Sequence, residues 1–270
     1  MNRRRLSIGI SLLALGWVAW QVWRHEVWAV EWPEPRWAAV GGVLALMPVN
    51  WGVEVAKWRF LNRGLAWGTA VREVLIGAGW AFVTPNRIGE VAGRVAAAPA
   101  DRRASAARAF ATSGAAQLFV TVAAGGVALE GRWGWAAGLA AGLGAFLLWS
   151  PRVPKRFGWA DAEPMSVGAR LGTLGLSAAR YAVFSGQFVL AFAAMGLAVP
   201  WRSVALIFLG NTAVPSAALG ELGVREAVTL AVLRPEGGAV GAAVVAAFLI
   251  WIVNLAVPAA VGAVLQGQAK

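Results

Sequence analysis

Nine apolar runs follow one another along this chain with little polar sequence between them, over residues 6–23, 37–53, 67–83, 104–129, 133–149, 171–197, 203–219, 222–233 and 239–265. Most approach the roughly 20 residues that a helix needs to cross a bilayer. Hydrophobic residues make up 59% of the chain and charged residues 14%, more apolar sequence than a water-facing core of this length would bury. Lipid offers no hydrogen bonds to a bare backbone, so an all-α, polytopic membrane fold is expected. The run from Leu6 to Trp23 follows Met-Asn-Arg-Arg-Arg and is read as a retained first span, since no small-residue cleavage site follows it.

Charge selects which runs cross. If 67–83 spanned from the cytoplasm, the segment carrying Arg87, Arg94, Arg102, Arg103 and Arg108 would be stranded outside, against the positive-inside tendency. A re-entrant helical hairpin over 67–98, turning at Thr84-Pro85-Asn86-Arg87, removes the conflict, and 203–233 turns likewise near Pro215 to Gly220. Fifteen of the Lys and Arg residues then lie on the cytoplasmic side, five outside, and Arg87, Arg94, Arg180 and Arg225 at membrane depth. The expected topology has about six transmembrane helices plus two re-entrant hairpins, with both termini cytoplasmic, in a bacterial-type inner membrane.

The order span, span, hairpin, span occurs twice. Residues 6–23, 37–53, 67–98 and 105–130 correspond to 133–149, 171–197, 203–233 and 239–265, and three crossings per half invert the second copy. The chain therefore reads as a single membrane domain, 1–270, built from inverted halves of about 6–130 and 133–265, with Gln117 and Asn254 at matching places. The repeat is visible in Gly89-Glu90-Val91-Ala92-Gly93-Arg94, which returns as Gly220-Glu221-Leu222-Gly223-Val224-Arg225, each after a proline, Pro85 and Pro215. Inverted repeats with broken helices meeting at the midplane are a recurrent plan of secondary transporters, and their hairpin tips are expected to approach each other.

Buried charges at such breaks are the candidate substrate-binding set: Arg87, Glu90, Arg94, Arg180, Glu221, Arg225 and Glu226, with Thr84 and Asn86 at the first break. A half-helix beginning near Gly89 points its N–H groups into the membrane, and Arg87 adds a full charge with paired donors, a combination suited to phosphate or carboxylate. Four arginines against three glutamates favour an anionic headgroup. Glu90 with Arg94 and Glu221 with Arg225 also have the i,i+4 order of ordinary helical ion pairs, so strut and site both stay open, while Arg87 lacks a partner if Glu90 is held by Arg94. Glu54, Lys57 and Arg59 fall at a cytoplasmic span end, where snorkelling to lipid headgroups is the default.

Four blocks carry a family resemblance: Asn50-Trp51-Gly52-Val53-Glu54-Val55-Ala56-Lys57-Trp58-Arg59, Thr84-Pro85-Asn86-Arg87-Ile88-Gly89-Glu90, Arg180-Tyr181, and Gly220-Glu221-Leu222-Gly223-Val224-Arg225-Glu226. They resemble the transmembrane, flippase-like family of lysylphosphatidylglycerol synthases over most of the chain, departing at Glu221, where glycine is expected. The resemblance implies a relative of the lipid-translocating part of those proteins. It does not imply the synthase, whose soluble domain has no counterpart here.

The absence of Cys removes disulfide and thiolate chemistry, and a single histidine, His25, offers little for metal binding or general-base work. No metal site and no cofactor is expected, and the formal charge of +11 suits cytoplasmic loops facing anionic lipid and does not point to nucleic acid. The expected function is handling of an anionic phospholipid or lipid-linked headgroup by a flippase-like transporter, with a non-transporting membrane scaffold or accessory subunit as the alternative. The sequence leaves oligomeric state open.

Overall fold

The computed structural model describes residues 16–26, 34–129, 136, 142–143, 165–216 and 221–268, and among these no strand occurs. Residues 16–24 are helical. The helices after them are α1 (Trp37–Leu61), α2 (Trp67–Val83), α3 (Gly89–Ala97), α4 (Arg103–Ala128), α5 (Val167–Ala194), α6 (Trp201–Ala213), α7 (Val224–Leu233), α8 (Gly238–Trp251) and α9 (Val257–Gly267). The remainder of the expected span 6–23 and nearly all of 133–149 fall outside the described residues.

Among the described residues, four helices are long and apolar enough to cross a membrane: Trp37–Leu61, Ala100–Ala128, Val167–Ala194 and Gly238–Gly267. They show the inside-out pattern that lipid imposes. Leu44, Val122, Val127, Leu171, Val257 and Val261 are exposed, whereas Glu54, Lys57, Glu73, Arg94 and Glu226 are buried. This is an integral membrane protein.

Prolines shape two of the spans. Pro48 lies inside α1, where it has no N–H to give to Leu44 O, and one residue away the Gln187 side-chain amide donates to Val43 O at 2.9 Å, tying α5 to this turn. Pro258 lacks the N–H that would close an α-turn, and the helix widens into a π-turn over Ile252–Ala256 before continuing as α9.

The helix pairs α2–α3 and α6–α7 are each interrupted at the proline singled out in the sequence. In the first, Thr84 Oγ1 donates to Trp80 O at 2.8 Å and accepts Gly89 N–H at 2.7 Å, closing one helix and opening the next with a single side chain. Asn86 and Arg87 take left-handed φ values of 50° and 55° to make the reversal. The returning helix packs closely because Gly93 presents no side chain; a Cβ there would sit 3.0 Å from the Trp80 ring and from Gly77 Cα. The apolar run 203–219 does not continue as helix to its end: α6 stops at Ala213, ahead of Pro215.

Two apolar clusters flank the polar centre. One joins Val43 of α1, Phe188 and Phe192 of α5, Ile207 and Phe208 of α6, and Ile250 of α8. The other joins Trp51 and Trp58 of α1, Val74 of α2, and Ala106 and Ala109 of α4. Among the helix contacts, α1 lies on α5, α2 on α9, and α4 on α6.

Candidate functional site

Where the interrupted pairs approach α1, α4 and α5, a cavity of about 570 Å³ opens. Its charged wall is formed by Lys57, Arg87, Arg180 and Arg225 with Glu54, Glu90 and Glu221, four cations against three carboxylates. One face of α4 contributes Phe110, Ser113, Gly114, Gln117 and Thr121, and an aromatic wall comes from Tyr181, Phe184, Phe188 and Phe208. The aromatic rings interlock, with Phe208 edge-on to Phe188 at 4.8 Å and to Tyr181 at 5.2 Å, so this wall is firm and apolar.

The charges form a continuous network. Arg94 Nη2 donates to Glu90 Oε1 at 2.6 Å and to Glu54 Oε1 at 2.8 Å, while the guanidinium lies over the Trp58 ring at 4.9 Å and the Phe110 ring at 5.6 Å. Glu54 Oε2 is 3.0 Å from Lys57 Nζ and 3.3 Å from Arg180 Nη1. Lys57 Nζ also donates to Gln117 Oε1 at 3.3 Å and to Ser177 Oγ at 3.4 Å. Removed from water, such groups persist only when paired, and here the pairs join α1, α3, α4 and α5 into one unit.

The breaks themselves meet. Asn86 N–H donates to Ser216 O at 2.7 Å, and Ser216 N–H donates to Asn86 Oδ1 at 2.5 Å, so one residue of the first break satisfies the backbone of the second. Behind Arg87 a smaller cavity is bordered by Trp51, Phe82 and Asn254, and Asn254 Oδ1 accepts from Asn50 Nδ2 at 2.9 Å beside the π-turn.

Several expectations need correction. Glu54 and Lys57 do not snorkel to headgroups; they are buried at 4% and 1% exposure, because the network offers each charge partners inside the protein. Arg59 is also engaged, donating to Leu65 O at 2.7 Å and lying 4.4 Å over the Trp67 ring. Arg87 is not partnerless, since Glu90 is shared: Oε2 pairs with Arg87 at 3.1 Å and Oε1 with Arg94. The α3 N-terminus is not an open set of donors, because Thr84 takes Gly89 N–H and Glu90 occupies the first turn. Glu226 acts at the start of α7, accepting Gly223 N–H at 2.7 Å, and does not border the large cavity. Arg94 likewise lies behind the wall.

The structure thus brings Arg87, Glu90, Arg180, Glu221, Arg225 and Asn86 to one cavity, adds Glu54 and Lys57, and gives Thr84, Arg94 and Glu226 architectural places. The polar face of α4 went unrecognised as cavity lining. Its signal is the spacing of Ser113, Gln117 and Thr121 at successive fours, which places three polar groups on one side of an apolar helix. A second buried cluster was missed too: Glu73 accepts from Trp58 Nε1 at 2.8 Å and pairs with Arg102. Among the described residues no group of three His, Cys, Asp or Glu side chains is placed to hold a metal.

Comparison with known protein families, curated proteins and solved structures gives no significant match for this chain. The fold and site define a helical integral membrane protein with a charged, aromatic-walled cavity at paired helix breaks.

Proposed function

We propose that this protein transfers an anionic amphiphile, a phospholipid or a lipid-linked headgroup, between membrane leaflets through the central cavity. The observation that carries the reading is the composition of that cavity, which is lined both by Arg87, Arg180 and Arg225 and by the aromatic rings of Tyr181, Phe184, Phe188 and Phe208. Guanidinium groups suit a phosphate or carboxylate, and a firm aromatic wall suits the apolar part attached to it. The excess of one cation over the carboxylates sets the sign of the guest.

The arrangement of helices supports alternating access by two inverted halves. The second spans of each half, α1 and α5, lie on each other; the first hairpin packs on the last helix of the second half, through α2 and α9, and the last helix of the first half packs on the second hairpin, through α4 and α6. A two-fold relation produces such reciprocity, with self-equivalent elements on the axis and the others exchanged. The hairpin helices also suit re-entry: α2 has 17 residues, α3 9, α6 13 and α7 10. At 1.5 Å per residue the longest of them extends about 26 Å, short of the hydrocarbon thickness of about 30 Å. The motif resemblance to flippase-like membrane regions points the same way.

Mass spectrometry of lipid copurifying with the protein tests this reading. Wild type should retain an anionic phosphodiester lipid above its bulk membrane fraction, and Arg180→Gln should lose the enrichment. A bound-lipid profile equal to bulk in wild type would contradict it.

A further inference from the structure

The two Glu–Arg pairs that mark the repeat, 131 residues apart, have unlike surroundings. Arg94 is gripped through Nη2 by two carboxylates at 2.6 and 2.8 Å and lies between two aromatic faces; its Nε and Nη1 are buried without hydrogen-bond partners, and it has no surface on the cavity. Arg225 is 5% exposed and borders the cavity, yet its Nη1 has no hydrogen-bond partner. Its pairing with Glu221 is 3.6 Å between Nη2 and Oε2, an ion pair beyond hydrogen-bond reach. Glu221 itself borders the cavity with a side chain 25% exposed, on a backbone of φ 64°. Glu226, the other acid nearby in sequence, is engaged by Gly223 N–H, which leaves Glu221 as the loosely held carboxylate.

We propose that Glu221 is the resident counter-ion of an exchangeable oxyanion site on Arg225. A phosphate-type group entering the cavity displaces the Glu221 carboxylate and takes a charge-assisted hydrogen bond from the Nη2 arm of the guanidinium, which Glu221 holds only at 3.6 Å. The Glu90–Arg94 pair stays closed during the exchange because Glu54 and the rings of Trp58 and Phe110 hold Arg94 independently. The duplicated pair has therefore diverged into a fixed strut in the first half and a displaceable one in the second. This inference rests on the reading of the cavity as an anion site and names the contact within it. Glu221 competes with the guest for one guanidinium, so removing its charge strengthens binding, whereas a purely structural pair would lose stability and gain nothing.

The test titrates the purified full chain in neutral detergent with dihexanoyl phosphatidylglycerol, and separately with inorganic phosphate, reading the shift of the thermal unfolding midpoint. Glu221→Gln is expected to bind about tenfold more tightly than wild type, as loss of one competing charge-assisted contact implies, and Arg225→Gln about tenfold or more weakly. A response to the lipid alone assigns the oxyanion to a headgroup; an equal response to phosphate assigns it to the free ion, and either supports the site. Unchanged or weaker binding by Glu221→Gln, in a protein whose wild type binds, overturns this inference and leaves the cavity reading standing. Failure of wild type to bind either probe overturns both. If Arg225→Gln does not fold, the Glu221→Gln titration decides alone.

Discussion

Glu90 holds two guanidinium groups and Glu54 meets Lys57, Arg94 and Arg180, so single charges in this network have very different weights. Arg94, at 1% exposure, has no water to fall back on. Its replacement by Gln leaves both carboxylates short of a partner and should cost about 3–5 kcal/mol, the scale for breaking a buried pair. Glu90→Gln should cost less, because Arg94 keeps Glu54. Thermal unfolding in detergent ranks the two, and an Arg94→Gln protein as stable as wild type would show that the pair does not hold the helices together. The i,i+4 spacing made the Glu90–Arg94 and Glu221–Arg225 pairs legible in the sequence. Glu54–Arg94 spans 40 residues, and no local spacing reports a contact made only when α1 and α3 pack. For the same reason Glu54 and Lys57 read as headgroup contacts: their distance from the end of α1 was visible, and the partners that draw them inward were not.

At the scale of elements, the helix breaks depend on side chains doing backbone work. Thr84→Val keeps the shape but loses the acceptor for Gly89 N–H, and should destabilise by about 1 kcal/mol, in line with loss of a helix cap. Hydrogen exchange at the start of α3 should rise; unchanged protection there would mean that the cap is dispensable. The Asn86–Ser216 bonds place the two breaks side by side. Cysteines introduced at these positions in a chain with none of its own should therefore cross-link under mild oxidation in membranes. Absence of cross-linking, with both thiols shown to be reactive, would mean that the breaks do not meet. Pro85 and Pro215 announced these breaks, since proline cannot continue a helix that needs its N–H. The end of α6 at Ala213, two residues ahead of Pro215, agrees with the turn expected near that proline, although hydropathy alone, apolar past that point, does not report where the helix stops.

For the whole molecule, the hydropathy pattern was enough for the class and for the four long helices, because in lipid an apolar run of sufficient length has few alternatives. The cavity was less legible, since Phe184, Phe188 and Phe208 look like ordinary lipid-facing or core residues until α5 and α6 pack. Orientation is open to direct measurement: single cysteines at Ala100 and Ser166 should react with impermeant thiol reagents from the cytoplasmic side, and one at Gly237 from outside. External labelling at Ala100 would overturn the first hairpin and the inverted arrangement with it. The central claim is that the charged cavity moves an anionic amphiphile, and leaflet exchange of fluorescent phosphatidylglycerol in reconstituted vesicles tests it most directly. Wild type should exchange this lipid faster than protein-free vesicles, and Arg87→Gln, folded to the same degree, should reduce exchange to the protein-free rate. Exchange by Arg87→Gln at the wild-type rate, or none by wild type, would contradict the account.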